Sequence, residues 1–179
     1  MPPRGRSPAG VILFDKPAGP SSFAIVAQIR RRTGARTGHA GTLDPFATGL
    51  LLVLSGTATK LASCFVGLDK RYVSDVDLPI PAASAVKIGG VRAYKLARRG
   101  VTVDMPHRRS HIAALDVISY SDGIARLDLH VSSGTYVRAV ADALGGHCRT
   151  LRRTEIGPFS VEEADTDRII PPEEALARL

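Results

Sequence analysis

An α+β domain built on a mixed sheet is the fold class this sequence predicts, and three observations carry the prediction. Apolar runs of strand length and stretches of helical spacing follow one another without a regular βαβ alternation. Two such stretches flank Ser121-Asp122-Gly123 as a hairpin would. With 179 residues, 44% of them hydrophobic, the chain is long enough for a single domain with a real core.

In order along the chain, GVILF (10–14) reads as a buried strand feeding a turn at Asp15-Lys16-Pro17. Ser21-Ser22 caps a helix whose apolar positions Phe23, Val26 and Ile29 recur at helical spacing, and whose last turn is basic. Residues 38–49, GHAGTLDPFATG, read as a Gly-rich loop leading into the strand Leu50–Leu54. TATKLASCFV (57–66) is a short helix, and RYVSDVDL (71–78) alternates as a strand should, before Pro79 and Pro81 interrupt it. SAVKI, a Gly89-Gly90 turn and a helix over VRAYKLARR follow, the helix holding Tyr94 in its packing and stopping at Gly100. HIAALDVISY and IARLDLHVS form the hairpin. TYVRAVADALGG is a helix with Arg138 in its first turn and Asp142 one turn later, LRRTEIGPF a further strand, and PPEEALARL a terminal helix opened by proline.

Composition narrows the function. The longest apolar run, Leu50–Leu54, is strand-sized, and MPPRGRSPAG has no apolar signal core, so residues 1–9 read as a flexible tail of a cytoplasmic protein. Cys64 and Cys148 lack metal-ligand spacing and read as reduced core thiols, with no metal site. A net charge of +7 and arginine clusters at 30–32, 98–99, 108–109 and 149/152/153 favour a polyanionic partner. Aromatics make up only 5% of the chain, which does not indicate the base-stacking platforms of single-strand binders. GTATK lacks the spacing of a phosphate-binding loop, no G-x-G-x-x-G opens a helix, and no G-x-S-x-G is present, so no cofactor is implied.

What remains is a carboxylate, Asp44, on a small-residue loop. By turn chemistry alone Asp44-Pro45 is a structural turn. An aspartate can also act as a covalent nucleophile without metal or cofactor. A carboxylate taken out of water tends to protonate, so such a site needs a fixed cation, and arginine suits because it stays charged. Arg138 is a candidate, although the residues alone do not choose it over the other arginines.

Six segments, GVILFDKPAGPSS, GHAGTLDPFATGLL, KRY (70–72), SAVKIGGVRAYKLARRG, SSGTYVRAVADALG and LRRTEIGPF, stand in the order found in the TruB-type tRNA pseudouridine synthases, and nearly the whole chain resembles that family. The resemblance implies the pseudouridine-synthase fold, a mostly antiparallel mixed sheet flanked by helices, as a single catalytic domain over 1–179. It implies conversion of uridine 55 in the T-arm loop of tRNA to pseudouridine, with no metal or cofactor, by a monomer. Asp44 matches the nucleophile, Tyr72 the tyrosine that stacks on the target base and is implicated in removing the C5 proton, and Arg138 the arginine paired with the aspartate. Tyr136 and Leu151 match pocket-lining positions, and His39 a histidine near the flipped nucleotide. Lys16 and Lys87 fall among the RNA-contacting positions, Lys16 with Pro17 in a motif that packs beneath the catalytic loop.

The match breaks after Leu78, where relatives carry several dozen further residues including an RNA-inserting thumb loop. That segment is naturally lost, deleted, or present but unseen, the last being the favoured reading because a thumb without RNA moves. Ser84 and Pro20 stand where relatives often have tyrosine and methionine, and the chain stops at Leu179 without a C-terminal RNA-binding domain. The alternative is a non-catalytic tRNA-binding or tRNA-folding module that retains the pocket. Guide-RNA-dependent relatives are disfavoured by the short chain.

Overall fold

A computed structural model describes residues 9–78, 87–88, 91–92 and 110–179. Its strands are β1 (Gly10–Lys16), β2 (Thr37–Ala40), β3 (Thr48–Ser55), β4 (Lys70–Asp77), β5 (Lys87–Ile88), β6 (Val91–Arg92), β7 (Ile112–Ser121), β8 (Ile124–Val131), β9 (His147–Cys148), β10 (Arg152–Ile156), β11 (Phe159–Ser160) and β12 (Asp165–Ile170). The helices are α1 (Ser22–Thr33), α2 (Ala62–Val66), α3 (Val137–Ala143) and α4 (Pro172–Ala177). Ten of these strands share one mixed sheet, whose main path runs β12-β1-β3-β10-β4-β8-β7, while β5 and β6 pair separately. Along that path every pairing is antiparallel except β3 with β10.

β1 and β3 are nearly continuous apolar runs because both of their faces are covered. On one face Ile12, Phe14, Leu51 and Val53 pack against Ile25, Val26 and Ile29 of α1. On the other, Val11, Leu13, Leu50, Leu52 and Leu54 meet Phe65, Phe159 and Ala175. α1 starts where the Ser21 hydroxyl accepts from the Ala24 N–H at 3.2 Å. It stops at Gly34, whose φ of 66° closes the last turn. The second half of the sheet buries Tyr72, Val76, Leu127 and Leu129 against Val137 and Ala141 of α3. Asp122 and Gly123, both at positive φ, make the two-residue turn that matches the twist of β7 and β8.

Several expectations change. Asp15 and Lys16 continue β1 instead of turning, and residues 38–40 belong to β2, so the loop carrying Asp44 shrinks to 41–47. The stretch expected as one helix over 57–66 divides into a 3₁₀ segment, Gly56–Leu61, and α2. Val91–Arg92 pairs as a strand where a helix was expected, and Tyr94 lies outside the described residues. Polar β12 and two-residue β9 were not anticipated, since neither carries an apolar pattern. Cys64 is exposed, so only Cys148 is a core thiol, and both are free. Phe23 projects away from the core rather than into it. Pro79 follows Leu78 directly in the sequence, which rules out the favoured reading of an unseen segment at that point.

Candidate active site

The loop 41–47 has no regular structure of its own, so its shape depends on what its backbone carbonyls find. From 41 to 45 each one is held. Arg153 donates through Nη2 to the Gly41 carbonyl at 3.2 Å and through Nη1 to that of Thr42 at 3.3 Å. The buried Ser22 hydroxyl donates to the Leu43 carbonyl and accepts from the Leu43 N–H, both at 2.9 Å. The Asp44 carbonyl accepts from the Ala47 N–H at 3.1 Å. The Pro45 carbonyl accepts from the Gly19 N–H at 2.7 Å and from Lys16 Nζ at 3.1 Å. Asp44 therefore sits on a short loop anchored on either side of it.

Arg153 anchors more than the loop. It is 1% exposed, and its Nε donates to the Leu50 carbonyl at 2.7 Å. It stands opposite Tyr72 in the β10–β4 ladder. Burial pushes its pKa down, and Tyr72 opposes that shift. Its hydrogen-bond partners are backbone carbonyls, so it brings a buried positive charge to the floor of the site. The parallel pairing places Arg153 beside Gly49 at φ 102°, where a Cβ would stand 2.2 Å from the Arg153 carbonyl oxygen, and glycine is required there.

Lys70 is a second buried cation. Its Nζ donates to the Val66 carbonyl at 2.7 Å, to the Leu68 carbonyl and to Ser133 Oγ at 3.0 Å. Burial and the nearby Arg153 lower its pKa to about 8, with Asp69 acting in the opposite direction. Lys70 and Arg153 border a cavity of about 420 Å³ that is also lined by Asp44, Tyr72, Tyr136, Arg138 and Leu151. Arg138 Nε lies 3.1 Å from Asp44 Oδ2, so the carboxylate's fixed cation comes from α3, and Arg138 is turned toward Asp44. The Asp44 side chain keeps 35% of its surface open, so the site is not the dry pocket expected for it.

Five of the eight expected positions, Asp44, Tyr72, Arg138, Tyr136 and Leu151, thus share one cavity. His39 stands apart on β2, its ring edge-on to Phe23 and its Nδ1 buried without a hydrogen-bond partner. Burial and Arg153 push the imidazole pKa down, which keeps the ring neutral. Lys16 is fully buried behind the loop and donates to the carbonyls of Pro17, Pro20 and Pro45, so it supports the loop and does not reach the cavity. The side chain of Lys87 lies outside the described residues. Ser22 was expected only as a helix cap, Arg153 only in a basic cluster and Lys70 only within the KRY segment: a charged or hydroxyl residue in a motif carries no sign that it is buried. Among the described residues no three His, Cys, Asp or Glu side chains cluster as metal ligands. No helix among them is long and apolar enough to cross a membrane.

The chain is similar in sequence and fold to known proteins. The family described as "TruB family pseudouridylate synthase (N terminal domain)" matches in two pieces, residues 29–80 and 77–137. The tRNA pseudouridine synthase B of Mycobacterium sp. (strain KMS) is 37% identical over 206 residues, covering 87% of this chain and 69% of its own. That of Corynebacterium jeikeium (strain K411) is 38% identical over 216 residues, covering 89% and 70%. Each matched stretch is longer than the whole 179-residue chain. Among solved structures, an H/ACA RNP bound to a substrate RNA containing 2′-deoxyuridine superposes with a TM-score of 0.68 at 27% identity. The match covers 94% of this chain and 52% of that one, so the chain spans about half the length of that neighbour.

Proposed function

Because the chain belongs to the TruB family of pseudouridylate synthases, we propose that it isomerises uridine to pseudouridine in the T-arm loop of tRNA, at position 55, with Asp44 as the nucleophile. The observation that carries this reading is the Asp44–Arg138 pair at 3.1 Å beside Tyr72 in one cavity. In the reaction the N1–C1′ bond breaks and a C5–C1′ bond forms, while one proton leaves C5 and one arrives at N1. Asp44 forms the transient bond to the nucleotide. Arg138 orients the carboxylate and supplies its counter-charge. Tyr72, opposite Arg153 in the β10–β4 ladder, faces the base and takes part in removing the C5 proton. Tyr136 and Leu151 bound the space for the flipped base, which would cover the exposed side of Asp44 and exclude water. We also propose that the enzyme acts as a monomer, and that residues present in relatives but absent between Leu78 and Pro79 contribute to gripping tRNA without building the pocket.

The test incubates the protein with an unmodified tRNA transcript and maps pseudouridine at single-nucleotide resolution. Conversion confined to the T-arm loop uridine is expected. A folded protein that leaves this position unmodified refutes the reading. Asp44→Asn is expected to bind the same RNA and lose at least about 10³-fold in rate, since the residual activity of enzymes stripped of a nucleophile is small. If binding persists in both proteins and neither forms product, the tRNA-binding module is favoured.

A further inference from the structure

On α1 the buried positions are Ser22, Ile25, Val26 and Ile29, and Phe23 falls off that stripe. It is 73% exposed. A lone exposed phenylalanine is ordinary on a protein surface, but this one has three further properties. Its ring is backed by His39, with centroids 5.3 Å apart and planes at 79°. It follows Ser22, whose hydroxyl is locked to the Leu43 backbone one residue before Asp44, so its place on the helix is fixed relative to that loop. Ala27 and Arg30 lie four and seven residues on, along the same face of the helix. Ala27 is too small to cover the ring. Arg30 is held in place by Thr37, to which it donates through Nε at 3.3 Å and Nη2 at 3.1 Å, and Nη1 takes no part in those bonds. An uncovered aromatic ring followed by a fixed guanidinium matches the chemistry of a base followed by its sugar–phosphate backbone.

The His39 ring, whose pKa is pushed down by burial and by Arg153, backs Phe23 edge-to-face without adding a charge to desolvate. In the basic last turn of α1, Arg32 pairs with Asp167, which leaves Arg30 and Arg31 to face a polyanion. These two lie about 10–12 Å from Phe23 along the helix axis, the span of about two nucleotides of extended RNA. Single-stranded RNA is recognised mainly by stacking splayed bases on aromatic rings while cations follow the backbone.

We propose that Phe23, backed by His39, is a stacking subsite for a nucleobase adjoining the target uridine, with Arg30 and Arg31 following the attached backbone. The proposal rests on the RNA-modifying reading above. A T-arm stem-loop carries 2-aminopurine at each loop position flanking the target uridine in turn, and its fluorescence is read on binding to the wild type, Phe23→Ala and Phe23→Tyr. One position is expected to be quenched by the wild type and by Phe23→Tyr but not by Phe23→Ala. For unmodified stem-loop, Phe23→Ala is expected to raise KM about tenfold or more, with kcat changing less than about threefold. An abasic nucleotide at the responsive position should erase the difference between the two proteins.

If no position responds to Phe23→Ala, or KM stays within about twofold of the wild type, the subsite is refuted. A changed sedimentation of free Phe23→Ala with unchanged RNA binding assigns the ring to a protein contact and likewise overturns it. The quenching is read without turnover, so a wild type that binds but converts no uridine sinks the proposed function while the stacking result still stands or falls by itself.

Discussion

At the scale of single residues, Arg153 links the two reactive side chains most directly. Its fork holds the Gly41 and Thr42 carbonyls that lead to Asp44, and it stands opposite Tyr72 in the β10–β4 ladder. Lysine keeps the charge but not the planar set of donors. Arg153→Lys is therefore expected to leave carbonyls unpaired and lower stability by about 2–4 kcal/mol, read by urea denaturation. It should also reduce kcat about 10²-fold, with a smaller change in KM, because a misplaced loop disturbs alignment more than RNA contact. Unchanged kcat in a folded Arg153→Lys protein would remove Arg153 from the alignment of the site. Asp44 and Arg138 were recognisable only through the resemblance, since on turn chemistry Asp44-Pro45 is an ordinary turn. Arg153 stands in LRRTEIGPF beside Arg152, which is bound to Asp15 at the surface, and nothing in the two adjacent arginines tells which one is inside.

At the scale of elements, Lys70 ties the end of α2 and the start of β4 to Ser133, on the loop that leads to Tyr136 and Arg138. With a folded-state pKa near 8, below its usual 10.5, it is charged in the folded protein at pH 7 against the cost of burial. Arg153 from β10 adds to that cost and the adjacent Asp69 reduces it. A lowered lysine pKa means that the unfolded chain binds more protons between about pH 8 and 10.5, so stability from this group rises with pH across that window. The stability of wild type relative to Lys70→Met is therefore expected to improve from about pH 7 to about pH 10 in paired denaturant melts, and a difference that falls or stays flat contradicts the assignment. The strands most legible in the sequence were those with a strong pattern: the apolar runs of β1 and β3, the alternation of β4, and the hairpin with its Asp-Gly turn. β2, β9 and β12 were missed because each is short or polar and takes its strand geometry from a partner already in place.

At the scale of the whole molecule, the count of 24 lysines and arginines overstates what is free to meet RNA. On the sheet, Arg71 pairs with Asp128, Arg126 with Asp75, Arg149 with Asp77 and Arg152 with Asp15, and Arg153 is buried. The 149/152/153 cluster, expected as phosphate contacts, is engaged within the protein, and clusters 98–99 and 108–109 lie outside the described residues. Taking about three phosphate contacts, affinity for a T-arm stem-loop is expected to drop roughly 10- to 50-fold between about 50 and 200 mM KCl. Equilibrium binding at several salt concentrations reads the slope, and a drop of about 10³-fold would show that far more cations touch the RNA.

The parallel pairing of β3 with β10, the one such pairing among the described residues, has a consequence in time. β3 and β4 are neighbours in the chain but not in the sheet, because β10 lies between them. A ribosome adding about 5–20 residues per second makes both early strands, then works for roughly another 4 to 15 seconds before Arg153 exists. Throughout that interval two strand edges face an empty slot one strand wide, and any pairing between them must open again before β10 can enter. The strand that brings Arg153 to the loop of Asp44 is thus an insertion, so the carbonyls of Gly41 and Thr42 find their partner only after both flanking strands have been made.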